Sequence, residues 1–170
     1  GGIIKDVITA NVIEETIGQL GVNWDNYSIS NGPTLMSSIY GNGVYVAVGD
    51  SGAIYTSLNG KSWVDRSIGN IYYFTSITFG NGLFVGVGYS LTSGQTYAMI
   101  FTSSDGITWI NRSSAIPVTN DTRLYGVTYG NGIYVAVGYR AGIGTIYTST
   151  DSIIWTARNA PSSNHSHLWA

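Results

Sequence analysis

The feature that most constrains this chain is a sequence unit that occurs three times in tandem. Each unit has an aromatic residue before Gly-Asn-Gly, an apolar run ending in glycine, and an Ile-aromatic-Thr-Ser segment leading to tryptophan. The Gly-Asn-Gly marker follows Tyr40, Phe79 and Tyr129, and the units close at Trp63, Trp109 and Trp155. Tandem units of this size are supersecondary elements that bury their apolar surface against their neighbours. The sequence therefore predicts an array of similar elements.

Each unit predicts four antiparallel β-strands. The Asn-Gly step is a strong hairpin signal because both of its positions accept positive φ angles. It separates strand A (35–40, 74–79 and 124–129) from strand B, the apolar run. Strand C carries the Ile-aromatic-Thr-Ser pattern, and a second tight turn leads to strand D with the tryptophan. The units therefore read as four-stranded sheets.

Strand B indicates how these sheets are covered. Val44, Val46 and Val48 alternate with Tyr45, Ala47 and Gly49. Neither face is polar, whereas a half-solvated sheet alternates apolar with polar residues. We expect each sheet to be stacked between neighbours. Small residues at 47, 86 and 136 are expected to receive a bulky side chain, the repeated tryptophan, from the next sheet.

The segment from Ser103 to Trp109 (Ser-Ser-Asp-Gly-Ile-Thr-Trp) resembles the Asp-box of sialidase-like propellers, and the whole unit resembles repeats of phage tail-fibre and bacterial surface proteins. The resemblance implies an all-β, β-propeller-like array of three four-stranded antiparallel blades. The blades span about 35–68, 74–112 and 124–158 within a module at 22–160. The residues assigned to the structural repeat are Trp24, Trp63, Trp109, Trp155, Asp105 and Asp151.

Three blades do not close a ring, since propellers have roughly 4–8. Trp24 precedes Tyr40 by 16 residues, as Trp63 precedes Phe79 by 16, so residues 22–27 are predicted to form an orphan strand D. We expect closure between chains of a homo-oligomer, or with the remainder of a longer chain. Two chains would give six blades, and a threefold fibre tip is the other arrangement considered.

Residues 1–21 precede the repeats and differ from them. Apolar residues recur there at three- and four-residue steps, which indicates a short N-terminal helix for oligomerisation or anchoring; a linker is the alternative. Residues 161–170 are predicted to be a C-terminal tail. His165 and His167 lie in it without a third ligand nearby in the sequence, so no metal site is predicted.

The composition of the chain limits which classes of partner are expected. Charged residues make up 9% and the net charge is −2, so no basic surface for nucleic acid is expected. No apolar run reaches the roughly 20 residues that span a bilayer, so no membrane insertion is expected. No cofactor is predicted. The low charge, offset by Ser, Thr, Asn, Gly and Tyr, favours a virion or extracellular location.

The predicted binding site lies at one end of the blades. Lengths across the A–B and C–D turns are constant, whereas those across B–C and D–A vary, and variable loops on a rigid scaffold commonly bind ligands. Long loops are predicted at 89–98, 115–123 and 139–145. Their aromatic, amide, carboxylate and guanidinium groups suit a cell-surface glycan or receptor. The residues assigned to this site are Tyr89, Gln95, Tyr97, Asn120, Asp121, Arg123 and Arg140.

Catalysis is not expected from the sequence. Arg66, Arg112 and Arg158 each lie three residues after a tryptophan, which makes them part of the repeat, and Asp105 and Asp151 lie in turns. The leading hypothesis is a non-enzymatic tail-fibre or virion-appendage module for host-surface recognition. The alternatives are a structural subunit of an extracellular filament or surface layer, and a secreted sialidase-like glycosidase.

Overall fold

A computed structural model describes residues 32–116 and 121–158. These residues form three four-stranded antiparallel sheets, each in simple strand order, which confirms the predicted all-β array of blades. The predicted orphan strand at 22–27, the segment 1–21 and the tail at 161–170 lie outside the described residues. Within the described part of the chain, no helix is long and apolar enough to cross a bilayer.

The blades follow each other along the chain. Blade 1 consists of β1 (Leu35–Gly41), β2 (Val44–Gly49), β3 (Ile54–Ser57) and β4 (Val64–Asp65). Blade 2 consists of β5 (Tyr72–Gly80), β6 (Leu83–Thr92), β7 (Gln95–Ser103) and β8 (Ile110–Asn111). Blade 3 consists of β9 (Thr122–Gly130), β10 (Ile133–Arg140), β11 (Ile143–Ser149) and β12 (Thr156–Arg158). Two 3₁₀ turns, Asp50–Gly52 and Ser113–Ala115, join strands.

The first strand of each blade lies innermost. β1 packs against β5, and β5 packs against β9, whereas the short fourth strands β4, β8 and β12 are exposed. The Asn-Gly turns after these first strands have positive φ at both positions, such as 47° at Asn42 and 79° at Gly43, as a tight hairpin requires. The repeated motif therefore sets both the strand pairing and the blade orientation.

Two apolar layers join the blades. The layer between blades 1 and 2 includes Val46, Val48, Phe74 and Phe84, all fully buried. The layer between blades 2 and 3 is built around Val85, Val87, Tyr134, Ala136 and Trp155. Blade 2 is thus covered on both faces, as the apolar strand B predicts.

The tryptophans pack differently from the prediction. Trp109 lies over Gly86 and beside Phe74 and Phe84, all of its own blade, so the expectation that the next blade supplies this ring is wrong. The cause is the turn before strand D. The Trp109 indole Nε1 donates to the Gly106 carbonyl at 3.0 Å, which folds the ring back over its own sheet.

Candidate functional site

The blades have two chemically different ends. At the turn end, the A–B and C–D turns have the same length in every blade. At the hairpin end lie the B–C connections around 50–53, 93–94 and 141–142, together with the D–A connections. All differences in length between the blades occur at the hairpin end.

The long B–C loops predicted at 89–98 and 139–145 are mostly strand. β6 and β7 continue to a two-residue turn at Ser93 and Gly94, with φ of 52° and 76°. β10 and β11 likewise continue to a turn at Ala141 and Gly142. The loop prediction is wrong here because each added residue pairs across the hairpin instead of leaving the sheet. Tyr89, Gln95, Tyr97 and Arg140 therefore stand on paired backbone.

An aromatic and arginine cluster occupies the hairpin end between blades 2 and 3. The rings of Tyr73 and Tyr89 stack at 5.1 Å between centroids and 6° between planes. The guanidinium carbon of Arg123, from blade 3, lies 5.1 Å from the centroid of the Tyr89 ring. Arg123 Nε also donates to Thr96 Oγ1 at 3.4 Å. We call Tyr73, Tyr89, Thr96 and Arg123 the axial cluster.

Backbone geometry explains why the cluster is rigid. Tyr73 pairs with Tyr89 across β5 and β6, two residues before the bulge at Thr75. At Gly88 a Cβ would lie 1.9 Å from the Tyr73 carbonyl oxygen, so only glycine permits this approach. Both tyrosine rings are half-buried and keep one part in contact with solvent. The cluster thus presents fixed aromatic and cationic groups at the surface.

The electrostatics of Tyr89 connect all three blades. Burial raises the pKa of its hydroxyl above the ordinary value, and the charge of Arg123 opposes that shift. Asp50, of blade 1, raises the same pKa, so its carboxylate lies within electrostatic range of Tyr89. The hydroxyl is therefore neutral at physiological pH and able to donate a hydrogen bond.

The remaining predicted site residues that the structure describes do not join this cluster. Gln95 and Tyr97 are on the opposite face of β7 from Thr96, where the Tyr97 hydroxyl donates to Gln95 Oε1 at 2.8 Å. Asp121 is exposed at the start of β9, and its carbonyl accepts from the Ala141 amide at 3.0 Å. Arg140 is exposed at the end of β10. Asn120 lies outside the described residues.

The prediction from loop lengths does not include Tyr73 and Thr96 of the axial cluster, nor Asp50, whose charge acts on Tyr89. The repeat carries the signal for two of them. Tyr73 precedes Phe79 by six residues, as Arg123 precedes Tyr129 by six, and Asp50 and Tyr89 each follow the final glycine of strand B. Alignment of the three repeats therefore identifies Tyr73 as the counterpart of Arg123 and Asp50 as the counterpart of Tyr89. Thr96 has no such signal because blade 1 has no matching extension.

At the turn end, the aspartate side chains accept hydrogen bonds from backbone amides. Asp105 Oδ1 accepts from the amides of Ile107 and Thr108, both at 2.8 Å, and from the Ser103 hydroxyl. These amide hydrogen bonds hold the pKa of Asp105 below its usual value, and the same pattern lowers the pKa of Asp151. Asn59 makes the equivalent bonds in blade 1. Trp24, assigned to the same repeat, lies outside the described residues.

The repeated arginines bridge strands C and D. Arg158 Nε donates to Thr148 Oγ1 at 2.8 Å and Arg112 Nε to Thr102 Oγ1 at 3.5 Å. Arg66 Nε is buried and has no hydrogen-bond partner in the part of the chain that the structure describes. They lie in three separate blades and do not converge on one carboxylate-binding point. Among the described residues, no group of three His, Cys, Asp or Glu side chains is placed to hold a metal ion.

The comparisons with known proteins establish the fold. No protein-family model matches the sequence, and no curated protein matches it. The solved structure of YCF48 bound to D1 peptide is similar over 74% of this chain and 39% of its own, with a TM-score of 0.51 and 20% identity. The Bombyx mori GH32 β-fructofuranosidase BmSUC1 is similar over 79% and 37%, with a TM-score of 0.51 and 13% identity. The chain thus spans about two fifths of each.

These similarities confirm a propeller-like fold and correct one prediction. The sequence-based expectation that the chain is not an enzyme is wrong as an inference from this architecture, because similar blades form part of a glycoside hydrolase. At these identities the similarity shows the fold alone.

Proposed function

We propose that this chain is a propeller module of a virion appendage, of the phage tail-fibre type, which binds carbohydrate on a host surface at its hairpin end. The observation that carries the proposal is the axial cluster, in which the Tyr73 and Tyr89 rings stack and Arg123 lies over Tyr89. Sugar rings present apolar C–H faces beside hydroxyl groups. A fixed aromatic face next to cationic donors matches both of those features.

The surroundings of the cluster add hydrogen-bonding groups suited to sugar hydroxyls. Asp121 and Arg140 are exposed at the end of blade 3, whereas Gln95 and Tyr97 stand on the opposite face of the blade 2 hairpin from the cluster. Planar amide, carboxylate and guanidinium groups make directional bonds to adjacent hydroxyls. The hairpin end therefore offers aromatic contact at its centre with polar groups around it.

The virion assignment is supported by composition and by the repeat. A charged fraction of 9% with 23 glycines gives a surface whose solubility depends on uncharged polar groups. The Gly-Asn-Gly and Ser-Asp-Gly…Trp units resemble those of tail-fibre proteins. An appendage module of this kind places its variable end toward the host and its constant turns toward the scaffold.

A glycan array probed with the purified chain tests the proposal. We expect binding of particular oligosaccharides, and at least a tenfold loss of affinity in Tyr89→Leu and Arg123→Ala, because each removes one side of the cluster. Lys61→Ala is the matched control, since it removes an exposed cation at the turn end. Equal binding by wild type and both cluster variants would contradict the site. Absence of binding to any glycan would favour the filament-subunit alternative.

Hydrolysis of the bound glycan is the second candidate function. The observation that favours it is the similarity of these blades to part of a GH32 β-fructofuranosidase, and Asp50 is the carboxylate whose charge acts on Tyr89 of the axial cluster. Oligosaccharides retained on the array are incubated with the chain, and newly formed reducing ends are measured. Cleavage that Asp50→Asn abolishes while binding persists would establish catalysis. Binding without cleavage would leave recognition as the function.

A further inference from the structure

We propose that the outward face of blade 3 binds the outward face of blade 1 in a second copy of this chain, so that two copies close one six-bladed ring. This inference concerns assembly and goes beyond the proposed function. We call the outward face of blade 1 the leading face; it carries Tyr40, Tyr45 and Gly60. We call the outward face of blade 3 the trailing face; it carries Gly130, Ile133 and Val135.

The trailing face exposes residues that are buried at the same repeat position elsewhere. Ile133 is 40% exposed, whereas its counterpart Val44 is 8% exposed beneath blade 2. Val135 is half-buried, whereas Val46 and Val85 are 0% exposed. Strand B of blade 3 thus carries an apolar surface of the kind that the next blade covers in blades 1 and 2.

The leading face likewise exposes an aromatic residue that is buried at the same repeat position in the other blades. Tyr45 is 40% exposed, whereas its counterparts Phe84 and Tyr134 are fully buried against the preceding blade. The Tyr134 hydroxyl donates to the Gly80 carbonyl of that blade. A Tyr45 hydroxyl in the equivalent place would donate to the Gly130 carbonyl of the second copy.

The most specific evidence comes from the glycine that ends the first strand of each blade. We call the space that its missing Cβ leaves the glycine socket. A Cβ on Gly41 would lie 2.3 Å from the ring of Phe79, and one on Gly80 would lie 2.1 Å from the ring of Tyr129. In each case, the aromatic residue of the next blade fills the socket. Among the described residues, nothing lies within 4 Å of the same point on Gly130. Tyr40, which would fill that socket from a second copy, is 56% exposed.

The C–D turns repeat this relation on the other side. A Cβ on Gly106 would lie 2.9 Å from Val46 Cγ2 of the preceding blade. Gly60 occupies the same position in blade 1 with a similar positive φ of 71°, and no atom of the described residues lies within 4 Å of a Cβ there. In the proposed assembly Gly60 packs against Val135 of the second copy.

A second copy fits better than an unrelated partner because the two faces differ and each complements the other. Such a head-to-tail contact closes into a ring when the rotation per blade permits it. The three blades of the described residues give six in two copies, within the roughly 4–8 of known propellers, whereas three copies would exceed that number. The closed ring would also place Asp50 of one copy beside the blade 3 end of the other.

Native mass measurement over a range of protein concentrations is the first test. We expect twice the 18.2 kDa mass of one chain. Gly130→Val should weaken association roughly 100-fold, because it fills the socket that Tyr40 needs while a valine suits the exposed strand of the monomer. Thr92→Val, an exposed substitution far from both faces, should leave the mass doubled. A wild type that stays monomeric at every concentration would overturn the proposal.

Cross-linking tests the pairing of faces independently. The chain has no native cysteine. A Cβ on Gly80 would lie 2.7 Å from the Tyr129 Cβ, so a shift of about 1 Å gives the roughly 3.8 Å that a disulfide requires. The double variant Tyr40→Cys with Gly130→Cys should form a covalent dimer on oxidation, and neither single variant should. A ladder of longer covalent multimers, or no cross-link at all, would overturn the closed ring.

Discussion

The two ends of the blades differ in what they conserve: one repeats the same structural contacts, and the other carries the proposed binding site. At the turn end, every blade repeats the same bonds: Asp105 and Asn59 close equivalent turns although one is charged and the other is not. At the hairpin end, the same repeat position holds Asp50 in blade 1 and Tyr89 in blade 2. The comparison shows that the repeats retain side chains that hydrogen-bond to the backbone and vary the side chains that project from it.

The largest expected effect comes from glycine at the turn end. Gly80→Ala should lower the free energy of unfolding by about 3 kcal/mol, because its Cβ would lie 2.1 Å from the Tyr129 ring and the blades would have to separate. Gly94→Ala at the hairpin end is the matched control, at about 1 kcal/mol, since only its positive φ opposes the change. Chemical denaturation measures both. Equal losses would remove the distinction between the ends.

A smaller effect is expected at the Asp105 turn. Asp105→Ala should cost about 1–2 kcal/mol because it leaves the amides of Ile107 and Thr108 without their acceptor. Asp105→Asn should cost little, since Asn59 already closes the equivalent turn. Urea unfolding of the two variants measures the difference. A loss in the Asn variant as large as in the Ala variant would show that charge, and not acceptor geometry, holds the turn.

The pH dependence of stability should also originate at the turn end. The pKa values of Asp105 and Asp151 lie below the ordinary 3.8 because backbone amides donate to the carboxylates. Their contribution is therefore complete above the unfolded pKa and is lost as pH falls through the lower folded pKa. Urea unfolding between pH 5 and 2 should show a decline that is shallower in Asp105→Asn with Asp151→Asn. An unchanged acid profile in that variant would contradict this origin.

The smallest effect is expected at the hairpin end. Tyr97→Phe removes the hydroxyl that donates to Gln95 at an exposed site, so the free energy of unfolding should change by less than about 0.5 kcal/mol. Thermal unfolding measures this change, and glycan affinity measured on the same variant reports whether the hydroxyl contacts ligand. A large loss of stability would place Tyr97 in the framework of the blade instead.

The sequence predicts the blades well because their signals are local. Asn42 with Gly43 specifies a hairpin, and an apolar strand B specifies two covered faces. The site was harder to predict, since Arg123 meets Tyr89 only when two blades pack together. Residues chosen from loop lengths include Gln95 and Tyr97, which face away from that contact. Periodicity within one unit reports pairing in the sheet, but the neighbouring blade decides which side chains meet.

The paired backbone of the long hairpins has a consequence for how binding sites of this kind diversify. Tyr89 pairs with Ala98 and the equivalent Tyr139 pairs with Gly144, so the blade 2 hairpin exceeds that of blade 3 by four residues, two on each strand. Adding two residues to each strand leaves the residues next to the turn on their original face of the sheet, whereas adding one to each strand would move them to the opposite face. Insertions at this end should therefore be tolerated in steps of four. A library of grafted hairpins built on that rule would vary reach without disturbing the register beneath.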